Sequence, residues 1–285
     1  IRPGWLIDPN GDLIPRDNES APEQASYHII EALPDTWTAL MASKILRSKL
    51  ADRFRKLKSI RFGLDLRAAP LDSIIKWPNF LKSLWKDMNR REFPLLILPL
   101  LPQTNNGSSK CPYAHQARFY WFSLSLIARF AGLLILDPLF DKQDPLSYET
   151  TAALLPQTLM ELSNRQLNHK SLLLVTPECW DWNLDLQTSQ RISYRKAGMV
   201  RAVNLHAAKF SSRSKLTTIH YMSQHQEHCL LYRDIQGFME LFALINKVNL
   251  LGIAVHNFEV LGKSGIEVIR NSFTVLPGAK LQMNP

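Results

Sequence analysis

Three acidic residues stand where chemistry is easiest to build. Asp65, Asp137 and Glu178 each lie at or just beyond the end of a compact apolar run. If those runs are strands of one sheet, the acids sit at strand carboxyl ends, where ligands and metals bind in open α/β sheets. Two or three converging carboxylates could hold Mg²⁺ for phosphodiester cleavage, and Asp141 and Asp144 add further oxygens nearby. The residues therefore admit a Mg-dependent nuclease. Acids also end strands as turn formers, with no chemistry attached.

A second set is built for softer metals. His220, His225, His228 and Cys229 fall within ten residues, and Cys111 and His115 stand far upstream. Zinc accepts thiolate and imidazole in tetrahedral sites, so Cys111, His115, Cys229 and either His225 or His228 could supply four ligands. Their spacing matches no zinc-finger pattern, and a cysteine is often simply a small buried side chain. No cofactor is expected; Zn and Mg are the two metals these side chains could take.

Several motifs fail on one residue. Gly262-Lys263-Ser264 ends like a phosphate-binding loop, but the glycine needed five residues earlier is Asn257. His225-x-Glu227 lacks the Pro-Cys-x-x-Cys that zinc deaminases carry downstream. Glu227-His228 would need a histidine at position 224, which is Gln224.

Charge gives the clearest directional signal. The 285 residues carry a net +9, but it is not spread evenly. Residues 44–61 hold Lys44, Arg47, Lys49, Arg53, Arg55, Lys56, Lys58 and Arg61 against one acid, Asp52. Between Asp185 and Glu227 there is no acid at all, while Arg191, Arg195, Lys196, Arg201, Lys209, Arg213 and Lys215 are basic. Each segment carries +7, so the rest of the chain sums to −5. Clustered Lys and Arg are what phosphate backbones are gripped by. Tyr194, Phe210 and Tyr221 lie among the second group and could stack on bases. The segments 44–61 and 191–215 thus predict a DNA- or RNA-binding, non-catalytic component of a larger assembly, with protein partners. A protein adaptor whose basic face meets an acidic partner is the other binding-type reading.

The elements that must position these residues follow from periodicity. Apolar triplets around Asn10-Gly11 predict a β-hairpin. Residues 25–33 and 35–58 have helical patterns separated by Pro34, and Leu46, Leu50, Phe54 and Leu57 form one helix face. A short strand is expected over 60–66 and an aromatic helix over 71–89. Four apolar runs, 94–101, 133–136, 171–175 and 250–255, read as strands buried on both faces. Helical stretches at 115–130, 147–167 and 232–247 alternate with them. The fold class is α/β or α+β: a mixed, largely buried sheet flanked by helices behind a short hairpin. The division expected is 1–24 as hairpin and connector and 25–285 as one domain, with possible subdivision near the 103–110 loop. Three scattered cysteines fit a reducing, cytoplasmic compartment. A membrane span is not expected, because Arg129 interrupts the one long apolar stretch.

Overall fold

In the computed structural model, the Asn10-Gly11 turn forms as its residue types require. Gly11 has a φ of 79°, a region that glycine enters without a Cβ clash. The Asp8 carboxylate accepts from the backbone N–H groups of Asn10 and Asp12. Strands β1 (Arg2–Ile7) and β2 (Leu13–Pro15) pair antiparallel across this turn, with Ile7 opposite Leu13. The structure describes residues 2–15, 28–56, 62–88, 95–102, 114–140, 142–256 and 258–273. They fall into two units, one drawn from residues 1–101, 106–137 and 165–172 and the other from 102–105, 138–164 and 173–285.

In the first unit, β3 (His28–Ala32) runs parallel to β1 and leads into α1 (Pro34–Ala42) and α2 (Lys44–Lys56). Next come β4 (Phe62–Asp65), parallel to β3, and α3 (Trp77–Asp87). Then follow β5 (Leu95–Leu100), parallel to β4, α4 (Ala114–Ile127) and β6 (Leu134–Pro138). The strand order is β6-β5-β4-β3-β1-β2. Helical crossovers between sequential parallel strands are the expected solution, because a parallel neighbour cannot be reached by a tight turn. The sheet is apolar on both faces: every residue of β5 is buried, as are Ile29, Ile30, Leu64, Leu134 and Leu136. Helix α3 adds Trp77, Phe80, Leu81 and Leu84, each contributing about 1.5–3 kcal/mol when fully buried. Trp37 of α1 meets Phe80 edge-on at 6.1 Å. Strands β4 and β5 approach closely at Gly63, where a Cβ would stand 2.9 Å from Leu95 Cδ2.

Two local expectations change. The segment expected to be helical over 25–33 contains β3 instead: Ile29 and Ile30 are more favourably buried between β1 and β4 than on a short helix. The helix expected over 35–58 is broken at Ser43, which is extended, and its Oγ accepts from Leu46 N–H as the cap of α2.

The second unit opens with α5 (Pro145–Ala153), capped by the Asp144 carboxylate on Ser147 N–H at 2.9 Å, and α6 (Leu155–Asn164). The last three residues of β7 (Ser171–Val175) fall in this unit. The chain continues through β8 (Cys179–Asn183), β9 (Thr188–Ile192), α7 (Tyr194–Val203), β10 (Ala208–Ser211), β11 (Leu216–Ser223) and β12 (Gln226–Tyr232). It ends with α8 (Ile235–Lys247), β13 (Gly252–Val255), which neighbours β7, and α9 (Gly262–Ser272). Strands β10-β11-β12-β8-β9 form an antiparallel sheet. Its two faces carry separate cores. Trp182, Leu216, Cys229 and Leu231 pack with Tyr148 and Ala152 of α5, while Cys179, Ile192, Ile219, Leu230 and Tyr232 pack with Ala197 of α7. The architecture is the expected mixed α/β class with parallel and antiparallel pairing and flanking helices. Among the described residues no helix is long and apolar enough to cross a membrane.

Candidate functional site

Asp65 is the last residue of β4, and its carboxylate is organised by the chain just beyond it. Its Oδ1 accepts from the backbone N–H and Nε–H of Arg67 at 3.0 Å each, and its Oδ2 accepts from Arg67 Nη2 at 2.7 Å. Arg67 Nη1 donates to Asp137 Oδ2 at 2.8 Å. One guanidinium therefore spans from the end of β4 to the end of β6, past the intervening β5. The Asp65 side chain is 7% exposed, against 42% for Arg67 and 35% for Asp137, so the cluster has a buried floor and an accessible rim. The hydrogen bonds to Asp65 chiefly raise the Arg67 pKa, against the opposing effect of burial.

A third carboxylate joins from the neighbouring strand. Glu31 of β3 stands directly across the parallel ladder from Asp65, with Leu6 and Ile97 on either side in the same register. The ion-paired cluster is Asp65, Arg67 and Asp137, net negative, with Glu31 beside Asp65 in register. Arg67 uses three of its five N–H groups on the two aspartates; the other two are donors for an incoming acceptor. The arrangement can accept from and donate to neighbouring hydroxyls, and it places negative charge where a positive one could develop.

Sequence reasoning found Asp65 and Asp137 but missed Arg67 and Glu31. A signal for Arg67 existed: residues two apart at a strand end share a face. Glu31 was hidden inside the segment expected to be helical. Glu178 belongs to the second unit. Its Oε2 accepts from the Trp180 indole at 3.2 Å and lies 3.6 Å from Lys142 Nζ, and Arg191 Nη1 is 3.8 Å from Oε1.

The Cys/His set is divided by strand alternation. His228 and Cys229 are consecutive in β12 and point to opposite faces. His228 Nδ1 lies 3.2 Å from Asp181 Oδ1, which also accepts from Tyr221 Oη at 3.0 Å. Cys229 Sγ is 3.7 Å from His220 Nε2 on the other face, and burial pushes its thiol up to about 12. His225 occupies the β11–β12 turn with a φ of 64°. Cys111 and the His115 side chain lie outside the described residues. Among those described, no group of three or more His, Cys, Asp or Glu side chains is placed to hold a metal ion.

Seven of the basic side chains in the two segments are engaged within the protein. Lys49 and Arg53 both hold Asp12, at 3.0 and 2.7 Å. Arg55 pairs with Asp52, and Arg47 donates to the carbonyls of Leu40 and Met41. In the second unit Arg191 faces Glu178, Arg201 bonds Asp234 at 3.2 Å, and Lys215 bonds Glu240 at 2.7 Å. Arg195, Lys196, Lys209 and Arg213 are exposed. The Lys56 side chain, Lys58 and Arg61 lie outside the described residues. Segments 44–61 and 191–215 belong to different units, and many of their charges are spent on the protein itself.

No family model matches the chain, and no curated protein sequence matches it. Solved structures do. A chitinase from Chromobacterium violaceum superposes with a TM-score of 0.72 at 13% identity, covering 95% of this chain and 90% of that one. The spore cortex-lytic enzyme SleL of Bacillus megaterium gives 0.69 at 15% identity over 96% of this chain, which spans 66% of that enzyme's length. A class V chitinase from Pseudomonas fluorescens gives 0.68 at 12% identity, covering 94% and 89%. Identities this low establish a shared fold. They overturn the nucleic-acid, adaptor and nuclease expectations, and the leaning against an enzyme, because these neighbours are chitinases and a cortex-lytic enzyme. The geometry supplies a physical reason against the nuclease as well: the Arg67 guanidinium occupies the space between Asp65 and Asp137 that a divalent cation would need. The fold is the mixed α/β architecture that the chain shares with these solved structures.

Proposed function

We propose that this chain acts on a glycan and hydrolyses a glycosidic bond, holding its substrate at the carboxyl ends of β3, β4 and β6. The observation that carries this reading is the ion-paired cluster of Asp65, Arg67 and Asp137 in a fold shared with chitinases over most of the chain. Carboxylates flanking the scissile bond suit a reaction whose transition state is an oxocarbenium-like sugar ring, since that ring gains positive charge as the bond breaks. We assign Asp137, the more accessible aspartate, to the sugar ring. Asp65 fixes Arg67, and Arg67 orients Asp137 while its spare N–H groups meet sugar oxygens. Glu31 adds negative charge beside the same position. To act as the acid, Asp137 gives up the bond from Arg67 and takes a proton from solvent; it passes that proton to the leaving glycosidic oxygen as a water adds to the ring carbon.

The test is release of reducing ends from chito-oligosaccharides, with binding followed in parallel by calorimetry. The expected result is turnover that Asp137→Asn lowers by about 10²–10⁴-fold, the usual contribution of a proton-handling group. Binding without any bond cleavage would overturn the hydrolytic step. Neither binding nor cleavage across a panel of glycans would overturn the substrate class.

A further inference from the structure

Helix α7 presents an outer face that none of the preceding chemistry uses. Its inner face is fixed by packing. Ala197 is fully buried, Tyr194 and Val200 lie on the antiparallel sheet, and Arg201 turns inward to Asp234. Outward, Arg195, Lys196, Met199 and Val203 recur at three- and four-residue spacing along one stripe. Met199 is 64% exposed, Val203 79%, and Leu205 in the following turn 64%. Neither Arg195 nor Lys196 has an acidic partner among the described residues, and positions 186–226 contain no Asp or Glu.

Single exposed apolar residues need no explanation, but three neighbouring ones beside unpaired cations form a pattern. The pattern complements a surface that is negative in its plane and apolar beneath, as an anionic bilayer is. An acidic protein would satisfy the two cations but would also need pockets for three projecting apolar side chains. A bilayer accepts them without any preformed shape.

We infer that the outer face of α7, with Leu205, is a peripheral docking surface for anionic membranes. This inference stands apart from the glycan reading, which concerns the first unit.

The experiment is co-sedimentation of the full chain with phosphatidylcholine vesicles and with vesicles in which about three lipids in ten are phosphatidylserine. The expected result is binding to the anionic vesicles alone, weakening as salt is raised. Arg195→Gln with Lys196→Gln removes two cations, each adding about fivefold near such a surface, so binding falls about thirtyfold. Met199→Ser with Val203→Ser lowers it by about tenfold, through lost apolar insertion. All four positions are exposed, and circular dichroism of each variant confirms that folding is intact. No binding to anionic vesicles, equal binding to both kinds, or binding indifferent to both double variants overturns the inference. Capture by poly-glutamate without vesicle binding also overturns it, in favour of an acidic protein.

Discussion

Replacing Arg67 with glutamine removes the cation from the cluster while keeping most of the side-chain length, and the structure sets the size of the effect. Asp65 is the buried partner, and the three side-chain N–H contacts it receives from Arg67 are lost. Charge-assisted bonds to a buried acceptor are worth about 1.5–3 kcal/mol. The Asp137 contact joins two side chains that are each at least a third exposed, so it adds about 0.5 kcal/mol or less. Breaking a fully buried ion pair costs about 3–5 kcal/mol, an upper bound here because Arg67 reaches solvent. The expected loss is therefore about 2–3 kcal/mol. Urea unfolding followed by tryptophan fluorescence measures it, since the first unit contains Trp5, Trp37, Trp77, Trp85 and Trp121. Adding Asp65→Asn to the variant should recover a large part of the stability, and the double-mutant cycle gives the coupling directly. A loss below about 0.5 kcal/mol, or a cycle that closes at zero, would refute the bridge as an energetic feature.

Gly63→Ala forces a methyl group against Leu95, where a Cβ would meet three side-chain carbons at 2.9–3.0 Å; the expected destabilisation is about 1–3 kcal/mol, and unchanged urea stability would contradict the close β4–β5 approach. Asp12 is held below its ordinary carboxyl value of 3.8, first by Lys49 and then by Arg53. A depressed carboxyl contributes stability that is present above its unfolded value and lost as pH falls through its folded one, so an NMR titration of Asp12 should show a midpoint below 3.8 that rises in Lys49→Met. Burial pushes the thiols of Cys179 and Cys229 up to about 12; at pH 8 peptide mapping should find both unmodified by iodoacetamide until denaturant is added, and rapid native labelling of either would contradict their placement.

The long-range architecture was legible where the chain is simplest. The Asn10-Gly11 hairpin and β5, with every residue buried, declare themselves through turn chemistry and an unbroken apolar run. Strand β3 was not legible, because two isoleucines within a few polar residues fit a helix face as well as a strand, and only the flanking β1 and β4 decide between them. The antiparallel sheet was harder still. Thr188 to Arg191 of β9 are all exposed, so no apolar alternation marks that strand. The candidate site was half legible: Asp65 and Asp137 ended apolar runs visibly, while Arg67 lies outside both basic segments and belongs to no motif. The +7 segments misled for a related reason. Charge counting along a sequence cannot see Asp12 folding back onto Lys49 and Arg53, nor Glu240 reaching Lys215.

Asp65 and Arg67 are two residues apart, so their pairing is available as soon as the end of β4 takes shape, before the rest of the sheet exists. The third contact, to Asp137, spans seventy residues. It requires β5 and β6 to lie in sequence alongside β4. Arg67 therefore reports on assembly: its bond to Asp137 is present only where β6 stands in place on the far side of β5 from β4.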